Sequence, residues 1–214
     1  MQVHAARKVR DPESPQRVVE AAWRAVAARG LEGASVRAIA VEAGVSTGYV
    51  THYFPSKQAL LVEVLRFNNL RAAQRVGEQV ADRRGLDALG AAIEAVLPFD
   101  ADRRREWQVW VAAFGSQADG DAPAAGLREG WSGLRRTLRE LLAQAVEDGD
   151  LDPELDLKYE AERLVAMAAG IGLAAGVQAP SASRGNARQI VADHLAGLSP
   201  SGRSAPRRRE RPKR

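Results

Sequence analysis

The stretch from residue 35 to residue 57, SVRAIAVEAGVSTGYVTHYFPSK, constrains the fold of this chain more than any other. Its spacing is that of two short helices joined by a tight turn. Ser35 is placed to cap a helix whose inner face carries Ile39, Ala40 and Ala43. Gly44 closes that helix, where the chain turns sharply and a positive φ is often needed. Val45 packs in the turn, and Ser46 or Thr47 caps the second helix. Val50, Tyr53 and Phe54 are expected to face back toward the first. Ala40 is small where two steeply crossing helices would touch. That leaves Thr47, Gly48, Tyr49, Thr51 and His52 for the exposed face and flanks of the second helix. A helix held out in this way fits the major groove of DNA.

Upstream, Ser14-Pro15 supplies a cap and a favourable first position for another helix. Val18, Val19, Ala22, Trp23, Val26 and Ala27 recur along it at helical spacing, and Gly30 is expected to stop it. This helix would pack under the other two and complete a three-helix unit. Arg17, near its start, can reach a phosphate or remain solvated. From Ser56 a long helix is expected to run to about residue 81 and join this unit to the rest of the chain.

The resemblance goes beyond a generic helix-turn-helix. AGVSTG followed by HYFPSKQAL resembles the N-terminal domain of TetR-family transcriptional repressors over about residues 14–66. Gly44, Val45, Ser46, Gly48, Tyr53, Phe54 and Lys57 match the family pattern, with His52 in place of its first aromatic. The resemblance implies DNA-binding roles for Ser35, Arg37, Ser46, Thr47, Gly48, Tyr49, His52, Tyr53 and Lys57. Base edges would be met at the start of the second helix, and phosphates near Tyr53 and Lys57, with a further hydroxyl contact from Ser35.

Charge is uneven in a way that suits this. Residues 1–57 carry a net +3, residues 58–198 a net −5, and residues 199–214 a net +6. A polyanion would therefore be met at the basic ends, while the mildly acidic middle suits another task. Residues 1–13 read as a disordered arm and the Pro/Arg-rich 199–214 as a disordered basic tail able to add sequence-independent affinity. The absence of cysteine excludes disulfides, thiolate zinc sites and thiol redox sensing. No apolar leader opens the chain. The most apolar run, 164–177, is shorter than the roughly 20 residues of a membrane span. A cytoplasmic protein without membrane contact is expected.

Residues 58–198 read as a wholly helical regulatory and dimerisation domain. Short helices are expected over 87–97 and 102–118, a long one over 124–147, and two more over 160–177 and 186–198. REWQVWVAAF, a later GDLDP and the glycine-rich apolar helix near residue 170 resemble the C-terminal domain of the BetI-like branch of the family. That branch is named for a choline-responsive repressor of osmoprotectant synthesis.

Trp107, Trp110, Phe114 and Trp131 bring four of the chain's eleven aromatics onto two neighbouring helices. Ordinary core packing explains such spacing. A ligand cavity with aromatic walls is the functional reading, with Met167 and Gly170 at its back. In TetR-like proteins the last two long helices form a four-helix dimer interface. Leu164, Ala168, Ile171 and Ala175 on one helix, with Ile190, Val191, His194 and Leu198 on the other, suit that role.

Other chemistry fails on inspection. The acidic run from Asp148 starts like a calcium loop but has Pro153 where Gly is needed and Tyr159 where a bidentate Glu is needed. It reads as an interhelical turn, with Asp156 capping the next helix. His4, His52 and His194 have no metal-ligand spacing, and no nucleophile elbow, P-loop or dinucleotide fingerprint occurs. No catalytic group, metal or cofactor is expected. The sequence thus implies an all-α protein: a three-helix DNA-binding domain over 14–57 and a ligand-binding, dimerising helical domain over 58–198. Its expected partners are a double-stranded operator, a second copy of itself and an unidentified small-molecule effector. A nucleoid-type architectural DNA-binding protein without an effector is the alternative.

Overall fold

The computed structural model describes residues 14–115, 121–175 and 180–200. The expected N-terminal arm and nearly all of the basic tail lie outside the described residues. Nine helices and no strand occur among those described. They are α1 (Ser14–Gly33), α2 (Val36–Ala43), α3 (Thr47–Tyr53), α4 (Lys57–Val80), α5 (Gly85–Val96), α6 (Ala101–Gly115), α7 (Asp121–Glu147), α8 (Leu157–Ala175) and α9 (Pro180–Ala196).

Local chemistry accounts for several of the helix starts. Ser56 caps α4 by accepting from the Ala59 amide at 3.0 Å. Asp100 caps α6 through the Arg103 amide at 2.8 Å. Asp156 accepts the Lys158 and Tyr159 amides and opens α8, the role its place in the acidic run implies. Gly30 departs from expectation. It does not end α1 but kinks it, at φ 68° and ψ −179°, and one further turn follows to Gly33. That backbone region is essentially closed to residues with a Cβ.

The chain forms two compact units that interleave along the sequence. Among the described residues, those up to 70 and from 105 to 128 make one, and those from 71 to 104 and from 129 onward the other, so α4, α6 and α7 contribute to both. The sequence reading divides the chain once, after residue 57. In the first unit α1, α2 and α3 pack around Val18, Trp23, Val26, Ile39, Ala40 and Val50, all nearly inaccessible. Trp23 sets its ring edge-on to Phe67 of α4, with centroids 6.0 Å apart. In the second unit α5, α7, α8 and α9 bury Leu89, Ile93, Leu138, Leu142, Leu151 and Leu164 in one core.

Candidate nucleic-acid interface

The turn between α2 and α3 is built from its own backbone. Gly44 sits in the left-handed region at φ 68° and ψ 33°, and its amide reaches the Ala40 and Val41 carbonyls. Arg17 donates from Nη2 to the Ala43 carbonyl at 3.3 Å, so this arginine caps the end of α2. Arg24 of α1 pairs with Glu42 of α2 at 2.7 Å. Ser46 caps α3 by accepting from the Tyr49 amide at 3.1 Å. Ser35 does the same for α2 through the Ala38 amide at 3.2 Å. Both serines thus spend an acceptor on the fold, while the hydroxyl proton is left to donate.

Of the seven residues of α3, only Val50 is buried. Thr47, Gly48, Thr51, His52 and Tyr53 are exposed, Tyr49 is half-buried, and Arg37 lies exposed on α2. Tyr53 therefore departs from the inward face expected of it. Its ring stands 4.8 Å from that of Tyr49 and edge-on to that of His52 at 5.0 Å. This aromatic row stiffens the outer side of the helix. Thr51 bonds back to the Thr47 and Gly48 carbonyls, which fixes its rotamer. Lys57 Nζ lies 3.3 Å from Glu32, whose side chain is almost fully exposed. Such a pair is worth at most about 1 kcal/mol and yields easily to a phosphate.

Gly48 is informative. It has no positive φ, and a Cβ built there meets nothing nearer than Ser46 Oγ at 3.9 Å. Nothing among the described residues requires a glycine at this place, on the exposed first turn of the helix.

Comparison with known proteins decides what this unit is. Residues 18–64 match the model of the tetR family of bacterial regulatory proteins, and residues 85–200 match that of the BetI-type transcriptional repressor C-terminal domain. The chain belongs to the TetR family. This regulator is 28% identical over 188 residues to the HTH-type transcriptional regulator PksA of Bacillus subtilis, covering 86% of this chain and 88% of that one. It is 26% identical over 196 residues to the regulator BetI of Vibrio vulnificus, covering 88% and 91%. A protein of Saccharomonospora viridis described as a transcriptional regulator, solved in complex with choline, superimposes with a TM-score of 0.79 at 25% identity, over 86% of this chain and 96% of that one. A transcriptional regulator of Rhodococcus does so with 0.74 at 31% identity, over 88% and 97%. Family and relatives alike are regulators rather than enzymes.

The residues expected to line a ligand cavity are divided between the two units along the sequence. Trp107 and Trp110 are buried in the first unit as an edge-to-face pair 5.3 Å apart. Trp131 and Met167 pack, partly buried, against the core of the second unit. Phe114 is 42% exposed, and Gly170 is exposed with nothing within 4 Å of its Cβ position. Among the described residues, no other helix approaches Gly170 closely.

The second unit also holds a cavity of about 530 Å³ that sequence reasoning missed. Arg75, Arg83, Arg103 and Arg188 line it together with Asp87, Glu94 and Asp100. Arg188 donates twice to Glu94, at 3.0 and 3.1 Å, and Arg103 to Asp100 at 2.8 Å. Burial pushes the Asp100 carboxyl up. The Arg103 amide and the charges of Arg103 and Arg75 outweigh this and hold it below the usual carboxylate value.

The expected dimer contacts divide by burial. Leu164, Ala168, Val191 and Leu198 are at most 5% exposed in the single chain. In the protomer these four side chains belong to the core of their own chain. His194 also points inward, onto buried Glu160, which Arg163 meets at 2.8 Å. Ile171 and Ala175 are half-buried, and Ile190 is 48% exposed. Leu173, which sequence reasoning passed over, is 51% exposed.

Among the described residues no group of histidines and carboxylates could hold a metal, and no helix is long and apolar enough to cross a membrane.

Proposed function

We propose that this regulator is a homodimeric repressor whose two α3 helices read a palindromic operator, and that a small molecule bound by the helical C-terminal region releases it. The observation that carries the reading is α3 itself: a helix capped by Ser46, with Val50 buried and five of its seven residues exposed. Thr47, Gly48 and Tyr49 would meet base edges, with His52 beside them. Ser35, Arg37, Ser46, Tyr53 and Lys57 would hold the phosphates.

The partner-facing surface is best sought on the outer side of α8 and α9. Ala166, Gly170, Leu173 and Ala174 form an exposed apolar strip on α8, and Ile190 stands out on α9. Small residues there let two backbones approach closely. The choline in the Saccharomonospora viridis complex makes a quaternary ammonium compound the first effector to test. The Trp107–Trp110 pair offers such a cation aromatic faces worth about 0.5–2 kcal/mol each. A ligand releases DNA only by binding the released state better than the bound one.

Selection of bound sites from random duplexes tests the reading, followed by titration of the recovered site with choline and then a metabolite panel. Recovery of one palindrome, with half-sites about 10–10.5 base pairs apart or a multiple of that, supports it. Enrichment of no sequence would leave an architectural DNA-binding protein instead.

A further inference from the structure

We infer that two adjacent amides, Asn68 and Asn69 of α4, form the joint that couples the effector-bearing helices α6 and α7 to α1, the helix on which α2 and the recognition helix α3 pack. The inference rests on the effector reading above and adds the residues that transmit it. Asn68 is fully buried. It interrupts the apolar stripe that Leu61, Val64, Leu65, Ala72 and Val76 draw along α4. Its Oδ1 accepts from Trp23 Nε1 of α1 at 2.6 Å, and its Nδ2 donates to the Glu106 carbonyl of α6 at 3.3 Å. Asn69 repeats the arrangement one residue on. Its Oδ1 accepts from Trp110 Nε1 of α6 at 3.0 Å, and its Nδ2 donates to the Gly126 carbonyl of α7 at 2.9 Å. All of these groups belong to the first compact unit.

The chemistry permits one orientation of each amide. An indole N–H only donates and a peptide carbonyl only accepts, so a flipped amide would set donor against donor and acceptor against acceptor. Each side chain is therefore a rigid planar link with assigned ends. A leucine would fill the Asn68 position with less desolvation. An amide there adds direction, because withdrawal of the Glu106 carbonyl leaves a buried donor unmet unless α4 follows. Glu106 and Trp110 lie four residues apart on one face of α6 and engage Asn68 and Asn69 respectively, so a shift or rotation of α6 is felt by both. Trp107, the residue proposed to meet the effector, adjoins Glu106. The same amide that holds α6 holds Trp23, and α1 packs directly on α2 and α3. Ligand-driven movement of α6 is thereby delivered to α1 by two hydrogen bonds through one side chain, and from α1 to the recognition helix by packing.

Coupling is reciprocal, so the operator must also be felt at α6. The test is hydrogen exchange of the full-length regulator with and without the operator recovered by selection, read over residues 105–113. Trp23→Phe removes one N–H and keeps the ring, and Asn68→Leu removes the whole link. In the parental protein, operator addition should slow exchange in this segment by about five-fold or more. In Trp23→Phe that change should fall below two-fold, while the variant keeps its melting temperature within a few degrees and still binds operator. Asn68→Leu, if folded, should behave alike. An operator-dependent change that persists undiminished in folded Trp23→Phe, or that is absent from the parental protein, would overturn the joint. The effector reading is scored separately, from the operator Kd with and without saturating choline. No choline shift, with exchange coupling intact and lost in Trp23→Phe, would reject that effector and uphold the joint.

Discussion

Gly48→Ala should strengthen the fold and weaken the function at once. The α3 backbone at this position does not need glycine, and the added Cβ meets nothing nearer than 3.9 Å. Replacing a helical glycine by alanine then gains up to about 1 kcal/mol, from the lower entropy of the unfolded chain and the better helix propensity. For a chain of this size that raises the melting temperature by about 2–4 °C, compared at equal protein concentration because a dimer's transition depends on it. On DNA the same methyl occupies the exposed first turn of α3, where the backbone would come closest to the duplex. A loss of at least tenfold in operator affinity, or about 1.4 kcal/mol, is expected. Thermal unfolding and fluorescence anisotropy on one preparation measure both. A higher melting temperature with operator affinity within twofold of the parent would refute the placement of Gly48 at the interface. A lower one would refute the free space assigned to it.

Lys57→Ala should leave stability unchanged, because its pair with exposed Glu32 is weak, and should flatten the salt dependence of binding on every duplex by about one unit of slope; an unchanged slope leaves Lys57 as a surface residue. Gly30→Ala should cost about 1–3 kcal/mol from the φ of 68°, whereas Gly77→Ala, on α4 with equally open space and no positive φ, should gain up to about 1 kcal/mol; like signs in thermal unfolding would contradict the strain argument. Ile190→Asp should give a folded monomer with weakened binding to the full palindrome, since the residue is half exposed in the protomer, and Leu164→Asp should fail to fold; light scattering with circular dichroism distinguishes them, and a stable Ile190→Asp dimer removes that face from the interface.

What the sequence made legible is what short-range chemistry decides. Ser35, Gly44 and Ser46 act on amides and carbonyls a few residues away, so their spacing is enough to draw α2, the turn and α3. Ser56 and Asp156 mark helix starts for the same reason. Gly30 was legible as a special backbone position but not as a kink, because whether a helix resumes after a break depends on what the next turn packs against. The faces of α8 were not legible. Leu164 and Leu173 look alike in sequence, yet one is sealed in its own core and the other is half exposed, and only the packed neighbours distinguish them. Asn68 carried a signal that went unused: a polar residue on the apolar stripe of α4 implies buried partners, although their identity lies 45 and 38 residues away. The arginine-lined cavity gathers side chains from α4, α5, α6 and α9 and has no local signature at all.

The most direct test of the central claim is the ratio of affinities for the selected operator and for a random duplex, measured at one salt concentration for the parent, Thr47→Ala and Tyr49→Ala. Both side chains stand on the first turn of α3, and neither carries charge. If that helix reads base edges, each variant should lose about 1–3 kcal/mol of discrimination while affinity for random DNA stays within a few-fold. Equal losses on operator and random duplexes in both variants would mean that α3 grips the backbone without reading it, and the assignment of the recognition helix would fall.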